Sequence, residues 1–326
     1  MLPLHLLPLV LLAAAPPAPL AHTFSIVARD SATGELGVAV QSHYFSVGPV
    51  VPWAEAGVGA VATQSLVLVD YGPDGLALMR AGLSARQSLD SLLAADAHNE
   101  GRQVAMVDAR GGVAAYTGPS CIPDAGHRTG AQFSAQANLM ANDRVWPAMA
   151  AAYEAAQGDL AERLLAALEA GQRAGGDIRG RQSAALIVVK AKASGKPWND
   201  RVFDLRVEDS PEPIRELRRL VRLRRAYDLE DAGDAAIAEK RPADALRAYE
   251  AAMKLAPDVV ELQFWAAVSM YVNGREREAL PLFHRVFGRE ARWVPLVARL
   301  PKAGLFPVDA RKVAEVQAQA VRGAKW

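Results

Sequence analysis

The pattern of strand-like and helical segments changes near residue 210, and this change limits the chain to an α+β arrangement of two domains. Before that point the patterns follow each other as strands, a helical pair, strands, a second helical pair and strands. That order is typical of helices layered on sheets rather than of alternating βαβ units. From residue 211 onward no segment has a convincing strand pattern. We therefore predict a mixed domain over 22–210 and an all-helical domain over 211–326.

Individual elements of the mixed domain follow from alternation, turn residues and helical spacing. The predicted strands are 23–29, 36–41, 57–63, 103–108, 113–117, 133–137, 183–190 and 203–207. The predicted helices are 75–81, 85–95 and 144–173, the last of them broken or bent near Gly158.

An internal repeat of 34 residues lies in the helical domain. Its first copy has Ala232-Gly233, Ala245-Leu246 and Tyr249, and its second has Ala266-Ala267, Ala279-Leu280 and Phe283. Small residues where two helices touch, with an aromatic on the second helix, resemble the tetratricopeptide repeat. The region is interpreted as a connector helix followed by tetratricopeptide-like repeats. Two roles stay open for it, structural packing and a groove for a peptide or protein partner.

The amino terminus has the pattern of an export signal. Residues 2–15 are apolar, and an Ala- and Pro-rich stretch continues to Ala21. The run is too short to span a bilayer as a helix, and Pro3 and Pro8 interrupt it. We predict a signal peptide over 1–21, no membrane span, and a periplasmic or secreted protein. An uncleaved anchor and a misassigned start are the alternatives.

Charge and composition exclude several classes of partner and site. The 37 Lys and Arg residues nearly balance the 36 Asp and Glu residues, for a net charge of +1, so no general attraction to nucleic acid is expected. The single cysteine, Cys121, excludes a disulfide framework and a Cys-rich zinc site. We predict no metal and no cofactor. Cys121 and His127 share one loop, and we interpret them as incidental rather than as a thiol–imidazole pair.

An arginine-rich stretch follows the mixed domain. Apolar residues separate these arginines at helical spacing, which indicates the solvated face of an amphipathic helix. Nucleic-acid binding would need interleaved aromatic residues, which are absent from the stretch. The arginines are Arg215, Arg218, Arg219, Arg222, Arg224 and Arg225.

Thr23 combines a reactive group with an informative position. It begins the first predicted strand, directly after the predicted signal peptide. A threonine at a chain start can use its own α-amine, whose reference pKa is near 8, as the general base for its hydroxyl. Such a hydroxyl attacks amide carbonyls, and backbone N–H groups stabilise the oxyanion.

Six separated blocks carry a resemblance to a known family: TFSIVARDSATGELGVAVQS, VGPVVPWAEAGVGAVATQS, YGPDGLALMRAGLSA, CIPDAGHRTG, GRQSAALIVV and DLRVEDSPEPI. Together they resemble one bacterial family that is known only as a domain of unknown function in the N-terminal-nucleophile (Ntn) hydrolase-like superfamily. This resemblance implies a four-layer αββα sandwich over 22–210 with Thr23 as the nucleophile. Two features depart from the superfamily: His22 precedes Thr23, and the first lysine after Thr23 is Lys190.

Helper residues are assigned from the topology that the superfamily implies. Ser42 ends the second strand, where a polar helper is expected, and Asn138 follows a strand where oxyanion donors lie. The substrate-binding candidates are His43, Thr63, Gln64, Ser65 and Arg181. Arg181 lies near Asp177 and Arg179, and the three could bind a carboxylate or pair with each other. For each residue an ordinary loop or strand position is the alternative.

These features lead to two functional hypotheses. The first is an exported Ntn-type amidohydrolase that acts on amide or peptide-like small molecules. The second is a noncatalytic binding or assembly protein that uses the same fold and the groove of the helical repeats. Association with a second copy of the chain stays open.

Overall fold

The computed structural model describes residues 20–320, and the chain divides into two units after Leu217. The predicted signal peptide over 1–21 lies outside the described residues except for Leu20 and Ala21. The division falls within a helix, whereas the pattern of the sequence changes near residue 210. The strands are β1 (Leu20–Ala21), β2 (Thr23–Arg29), β3 (Leu36–Ser42), β4 (Pro52–Glu55), β5 (Gly59–Leu66), β6 (Arg102–Asp108), β7 (Val113–Thr117), β8 (Gly126–Gly130), β9 (Phe133–Ala137), β10 (Ser183–Val189) and β11 (Arg201–Val207).

Two antiparallel sheets form the centre of the N-terminal unit. The first has the order β1-β5-β6-β7, with β4 also paired to β5, and the second has the order β11-β10-β3-β2-β9-β8. The two sheets pack against each other through β2, β3 and β10 on one side and β4, β5 and β6 on the other. Their shared layer contains small and branched apolar residues, mostly valines and alanines, at alternate positions of β2, β3, β5, β6 and β10, so one face of each of these strands is buried between the sheets.

Two pairs of helices cover the sheets. They are α1 (Tyr71–Arg80), α2 (Ala85–Ala95), α3 (Val145–Ala155) and α4 (Leu160–Arg173). Helices α1 and α2 pack on the first sheet, and α3 and α4 pack on the second. Gly59 lets α1 approach closely, because a Cβ there would lie 2.6 Å from the Met79 methyl group. Close packing therefore explains the glycine in this strand, and no phosphate-binding turn follows it.

Several boundaries differ from the pattern-based prediction. Strand β5 begins at Gly59, because Gly57 has φ +72° and forms the preceding turn. Helix α1 begins at Tyr71, ahead of the predicted 75–81, although Gly72 and Pro73 resemble turn residues. Strands β4 and β8 were not predicted, because both are short and one is bounded by glycines. The predicted helix 144–173 is two helices separated near Gly158, as expected.

In its described part, the C-terminal unit has helices as its regular secondary structure. Its helices are α5 (Pro213–Ala238), which begins in the first unit, α6 (Pro242–Leu255), α7 (Val260–Val272), α8 (Glu276–Arg289), α9 (Val294–Val297) and α10 (Ala310–Gln317). Helices α6 and α8 are each 14 residues long and start 34 residues apart. The equivalent small residues Ala245 and Ala279 are fully buried, and Gly233 packs against the Tyr249 ring. The repeat in the sequence is therefore also a repeat of helices.

Within residues 20–320, no helix is both long enough and apolar enough to cross a bilayer.

Candidate functional site

Strand register brings a set of polar residues to one end of the two sheets. Thr23 lies opposite Ser42, and Ser42 lies opposite Ser183 on the next strand. In the facing sheet, Gln64 lies opposite Gln103. Residues directly opposite each other in a sheet have side chains on the same face. The polar residues are therefore collected in the layer between the sheets, at the end where β2 begins.

The peptide bond between His22 and Thr23 lies at the centre of this set. The Thr23 hydroxyl donates a hydrogen bond of 3.0 Å to Ser42 Oγ, and Ser42 Oγ donates one of 2.6 Å to the His22 carbonyl oxygen. The Arg179 guanidinium donates a second hydrogen bond of 2.6 Å to the same oxygen. Thr23 and Ser42 are fully buried and His22 is 2% exposed. A buried carbonyl with a cationic donor and a hydroxyl donor is polarised, as in an oxyanion hole.

Asp177 holds Arg179 in position. Arg179 Nη2 lies 2.7 Å from Asp177 Oδ2, and its Nε lies 3.1 Å from Oδ1. The Asp177 side chain is fully buried, and it also accepts a hydrogen bond of 3.1 Å from the backbone N–H of His43. A two-point contact of this kind fixes the plane of the guanidinium. The loop before β10 therefore presents one oriented cation to the His22 carbonyl.

A network of side-chain amides surrounds the carbonyl oxygen of Thr23. That oxygen accepts hydrogen bonds of 3.1 Å from Gln64 Nε2 and from the backbone N–H of Asn138. Gln103 Oε1 in turn accepts from Gln64 Nε2 at 2.6 Å and from Asn138 Nδ2 at 2.9 Å. Gln103 Nε2 donates to the Ala137 carbonyl at 2.8 Å. Buried networks whose members are satisfied specify one arrangement, so this one fixes the backbone around Thr23.

The tautomer of His22 follows from this network. Asn138 Nδ2 donates to Gln103, so Asn138 Oδ1 is the atom that lies 2.9 Å from His22 Nδ1. Nδ1 therefore carries the proton, and Nε2 is a buried acceptor that has no partner among the described residues. Burial lowers the pKa of His22 below its ordinary value; the Asn138 contact opposes this shift, and the Arg179 charge adds to it. The ring is consequently neutral at physiological pH.

The residues singled out in the sequence divide into two groups. Thr23, Ser42, Gln64 and Asn138 lie together around the His22–Thr23 peptide, as described above. The other four have separate surroundings. Thr63 Oγ donates to the Leu68 carbonyl, Ser65 has φ +74° opposite Ala21, the His43 ring is half-buried beside Gly180, and Arg181 pairs with Glu212 at the surface.

Two important side chains were not chosen as site residues from the sequence. Gln103 lies within a predicted strand, and only the pairing of β5 with β6 brings it to Gln64. Arg179 was considered beside Arg181, but the turn made by Asp177 and Gly180 directs Arg179 to the His22 carbonyl. Spacing in the sequence alone does not distinguish these two arginines.

Cys121 and His127 do not form a nucleophilic pair. The Cys121 sulfur lies 3.4 Å from the Arg102 carbonyl oxygen, and burial raises the pKa of its thiol. His127 Nδ1 is instead 2.8 Å from Thr117 Oγ. A buried thiol with a raised pKa is a poor nucleophile. In residues 20–320, no cluster of three or more His, Cys, Asp or Glu side chains is arranged to hold a metal ion.

Comparisons with other proteins identify the N-terminal unit. Residues 23–217 match the model of a family of unknown function, DUF1028. A crystal structure of a Silicibacter pomeroyi protein described with the same family is 30% identical to this chain, with a TM-score of 0.56. The match covers 62% of this chain and 88% of that one. No curated protein is significantly similar. The family model covers more than half of the chain and begins at Thr23, and the chain therefore belongs to the DUF1028 family.

Proposed function

We propose that this protein is an Ntn-type amidohydrolase whose nucleophile is the Thr23 hydroxyl, released by cleavage of the His22–Thr23 peptide bond. The observation that carries the proposal is the set of hydrogen bonds joining the Thr23 hydroxyl, Ser42 and the His22 carbonyl, with Arg179 on the same carbonyl oxygen. The packing of helices, two sheets and helices supports the αββα sandwich that this class of enzyme uses.

The first chemical event in the proposal is self-cleavage. Thr23 Oγ attacks the His22 carbonyl carbon, and its proton passes through the Ser42 hydroxyl to the carbonyl oxygen. Until that proton arrives, Arg179 stabilises the negative charge that develops on the oxygen. The C–N bond then breaks, the proton moves to the nitrogen, and an ester joins His22 to Thr23 Oγ. Water hydrolyses the ester to a His22 carboxylate and restores the Thr23 hydroxyl.

The second stage uses the new amine at Thr23. With a reference pKa near 8, part of it is neutral at physiological pH and can take the hydroxyl proton. An external amide then takes the place of the His22 carbonyl, and its oxygen lies between the two donors Arg179 and Ser42. The superfamily's usual lysine has no counterpart here, because Lys190 follows the far end of β10. In this proposal the Arg179 guanidinium, which Asp177 orients, is the cationic group at the site instead.

The substrates proposed are amides or peptide-like molecules outside the cytoplasm. The apolar run over 2–15 and the Ala-rich stretch after it support export to the periplasm or the medium. Export and self-cleavage are separate events in this account, since signal cleavage after Ala21 would leave His22 in front of Thr23.

A second candidate function is noncatalytic binding through the C-terminal unit. It is favoured by helices α6 and α8, which repeat at a spacing of 34 residues and support a tetratricopeptide-like assignment. A small cavity between α5, α6 and α7 is lined by Ile237, Tyr249, Trp265 and Val268, among others. The apolar and aromatic character of these residues suits an apolar side chain of a bound peptide.

A covalent probe distinguishes the two candidates. A β-lactone or a similar acylating electrophile should label Thr23 in the folded protein that begins at this residue. The label should be absent from the urea-unfolded protein and from the T23A variant. T63A is the matched control, because that hydroxyl donates to a backbone carbonyl in a turn. If the folded protein is not labelled at Thr23, the hydrolase proposal is wrong and the binding function becomes the better account.

A further inference from the structure

The three residues before Thr23 occupy the site as a bound peptide would. Strand β1 pairs antiparallel with the end of β5, with Leu20 opposite Leu66 and Ala21 opposite Ser65. The next residue, His22, places its side chain against Asn138 and its carbonyl between Ser42 and Arg179. Thr23 then follows with its hydroxyl bonded to Ser42. This segment has the layout of an extended acyl group, from strand pairing to the bond that is cut.

Strand β1 covers only a short stretch of sheet edge. Strand β4 covers the same edge of β5 from Gly59 to Ala62, and the Thr63 N–H donates to the Val51 carbonyl. Beyond Thr63, among the described residues, β1 alone pairs with this edge. Because only two residue pairs hold β1, its release after cleavage would leave the backbone of Ser65 and Leu66 open to another strand.

The edge that β1 covers is fixed in position. Ser65 has φ +74°, a conformation that costs a non-glycine residue energy and that persists only where its surroundings impose it. The Leu66 carbonyl accepts a hydrogen bond of 2.5 Å from Arg102, whose side chain is paired to Asp96. The edge is therefore held in one conformation by contacts that do not involve β1.

The side-chain pocket of His22 has a defined polarity. Its polar wall is Asn138 Oδ1, an acceptor whose orientation is fixed by the bond from Asn138 Nδ2 to Gln103. It therefore selects a side chain with a hydrogen-bond donor. The partnerless His22 Nε2 shows that the pocket does not satisfy every polar atom of a histidine.

We infer that the mature protein binds oligopeptides as an added antiparallel strand on Ser65 and Leu66, with a donor side chain against Asn138. The inference rests on the proposed function, since it places the carbonyl of the cleaved bond where the His22 carbonyl lies. The substrate class is an extended peptide with three or more residues on the acyl side of the bond. The residue next to that bond carries a hydrogen-bond donor such as an imidazole or a carboxamide.

The test uses a chain that begins at Thr23. The family match starts at this residue, and β2 is paired on both sides by β3 and β9, so the preceding residues are not needed for the fold. A thermal unfolding curve checks that the shortened chain is folded. Four probes are compared: acetyl-Leu-Ala-His p-nitroanilide, its analogues with an N-methyl group on Ala or with Leu in place of His, and acetyl-His p-nitroanilide.

Strand pairing and donor selection each give a measurable ratio. We expect kcat/KM to fall at least about tenfold when the peptide is N-methylated or truncated, because strand hydrogen bonds are lost. Replacing His by Leu should also lower kcat/KM. In N138A the kcat/KM values of the His and Leu peptides should become nearly equal. Equal turnover of all four probes would overturn the inference while leaving the hydrolase proposal intact.

Binding of the tripeptide acid separates the two proposals when turnover fails. Acetyl-Leu-Ala-His is titrated calorimetrically into the T23A version of the shortened chain, which needs no chemistry. Binding that N-methylation abolishes would support the peptide site even if no probe is hydrolysed, and the proposed hydrolase would then be wrong. If the tripeptide acid does not bind and none of the four probes is hydrolysed, both proposals are wrong.

Discussion

The layer between the two sheets has opposite character at its two ends. At one end the inward-facing residues are polar and hydrogen-bonded, and at the other end they are small and apolar. Moving along each strand from the first end to the second, these residues are Thr23, Ser25 and Val27 on β2; Ser42, Val40 and Val38 on β3; Ser183, Ala185 and Ile187 on β10; Gln64, Ala62 and Ala60 on β5; and Gln103, Ala105 and Val107 on β6.

The difference shows where the fold replaces apolar packing with a buried hydrogen-bonded network. An apolar layer stabilises the fold by burial alone, whereas a buried polar layer costs free energy unless each group finds a partner. The polar end satisfies most of its groups through Gln64, Gln103 and Asn138, and it surrounds one peptide bond. A polar arrangement of this kind is expected at a functional site, and the apolar end serves as its rigid support.

Of the substitutions at the polar end, removal of the Thr23 hydroxyl should have the largest effect on the rate of cleavage. T23A should lower the rate of cleavage between His22 and Thr23 by at least roughly 10³-fold, because the covalent route disappears. T23S should retain cleavage, since it keeps a hydroxyl at the same place. Mass spectrometry of the full-length chain over time measures both rates. Cleavage of T23A at the wild-type rate would show that another protein performs the cut.

Removing the oriented cation should have the next largest effect. R179Q should slow cleavage by about 10²-fold, the usual loss for one oxyanion donor. The matched control is R181Q, because Arg181 forms an exposed ion pair with Glu212, and such pairs contribute at most about 1 kcal/mol. Equal rates for the two variants would remove Arg179 from the mechanism.

One substitution at each end of the intersheet layer compares stability with function. Q103L leaves the amide groups of Gln64 and Asn138 without their acceptor and should lower the free energy of unfolding by about 2–4 kcal/mol. V107A, at the apolar end, should cost about 2 kcal/mol through lost packing. Only Q103L should also slow cleavage. Urea denaturation followed by fluorescence measures stability, and a cleavage defect in V107A would mean that the two ends are not independent.

The smallest expected effect is a dependence of stability on pH. The pKa of His22 in the folded state is lowered by burial, so below about pH 6.5 the unfolded chain binds a proton that the folded chain resists. The uncleaved T23A protein should therefore lose stability between pH 7.5 and 5.5. The H22Q variant keeps Asp177 and Arg179, the charged groups near the ring. It should lose less stability than the protein with His22 over the same pH range. Identical pH profiles would contradict the buried neutral imidazole.

The sequence predicts much of this site but not the way it is connected. Alternation locates β2, β3 and β6, and the position of Thr23 at a strand start draws attention to a residue whose hydroxyl lies in the buried polar network. Gln103 could not be recognised, because an inward-facing glutamine in a strand becomes meaningful only when the partner strand is known. Arg179 and Arg181 differ only in the backbone of one turn. Tertiary register and loop conformation supply what local patterns lack.

The fold shows the same division between local and nonlocal information. Long strands and the helical pairs follow from periodicity, and the repeat in the C-terminal unit is visible as identical spacing. The short strand β4 and the start of α1 depend on packing between them, since a Cβ on Gly72 would collide with the Trp53 indole. No local propensity indicates that contact.

Cell-free synthesis of the full-length chain, without membranes or peptidases, tests the central claim most directly. Intact mass and N-terminal sequencing would follow the wild-type protein during folding. The account predicts a product that begins at Thr23, formed at a rate independent of protein concentration, and no such product from T23A. A wild-type chain that folds and keeps His22 joined to Thr23 indefinitely would contradict it.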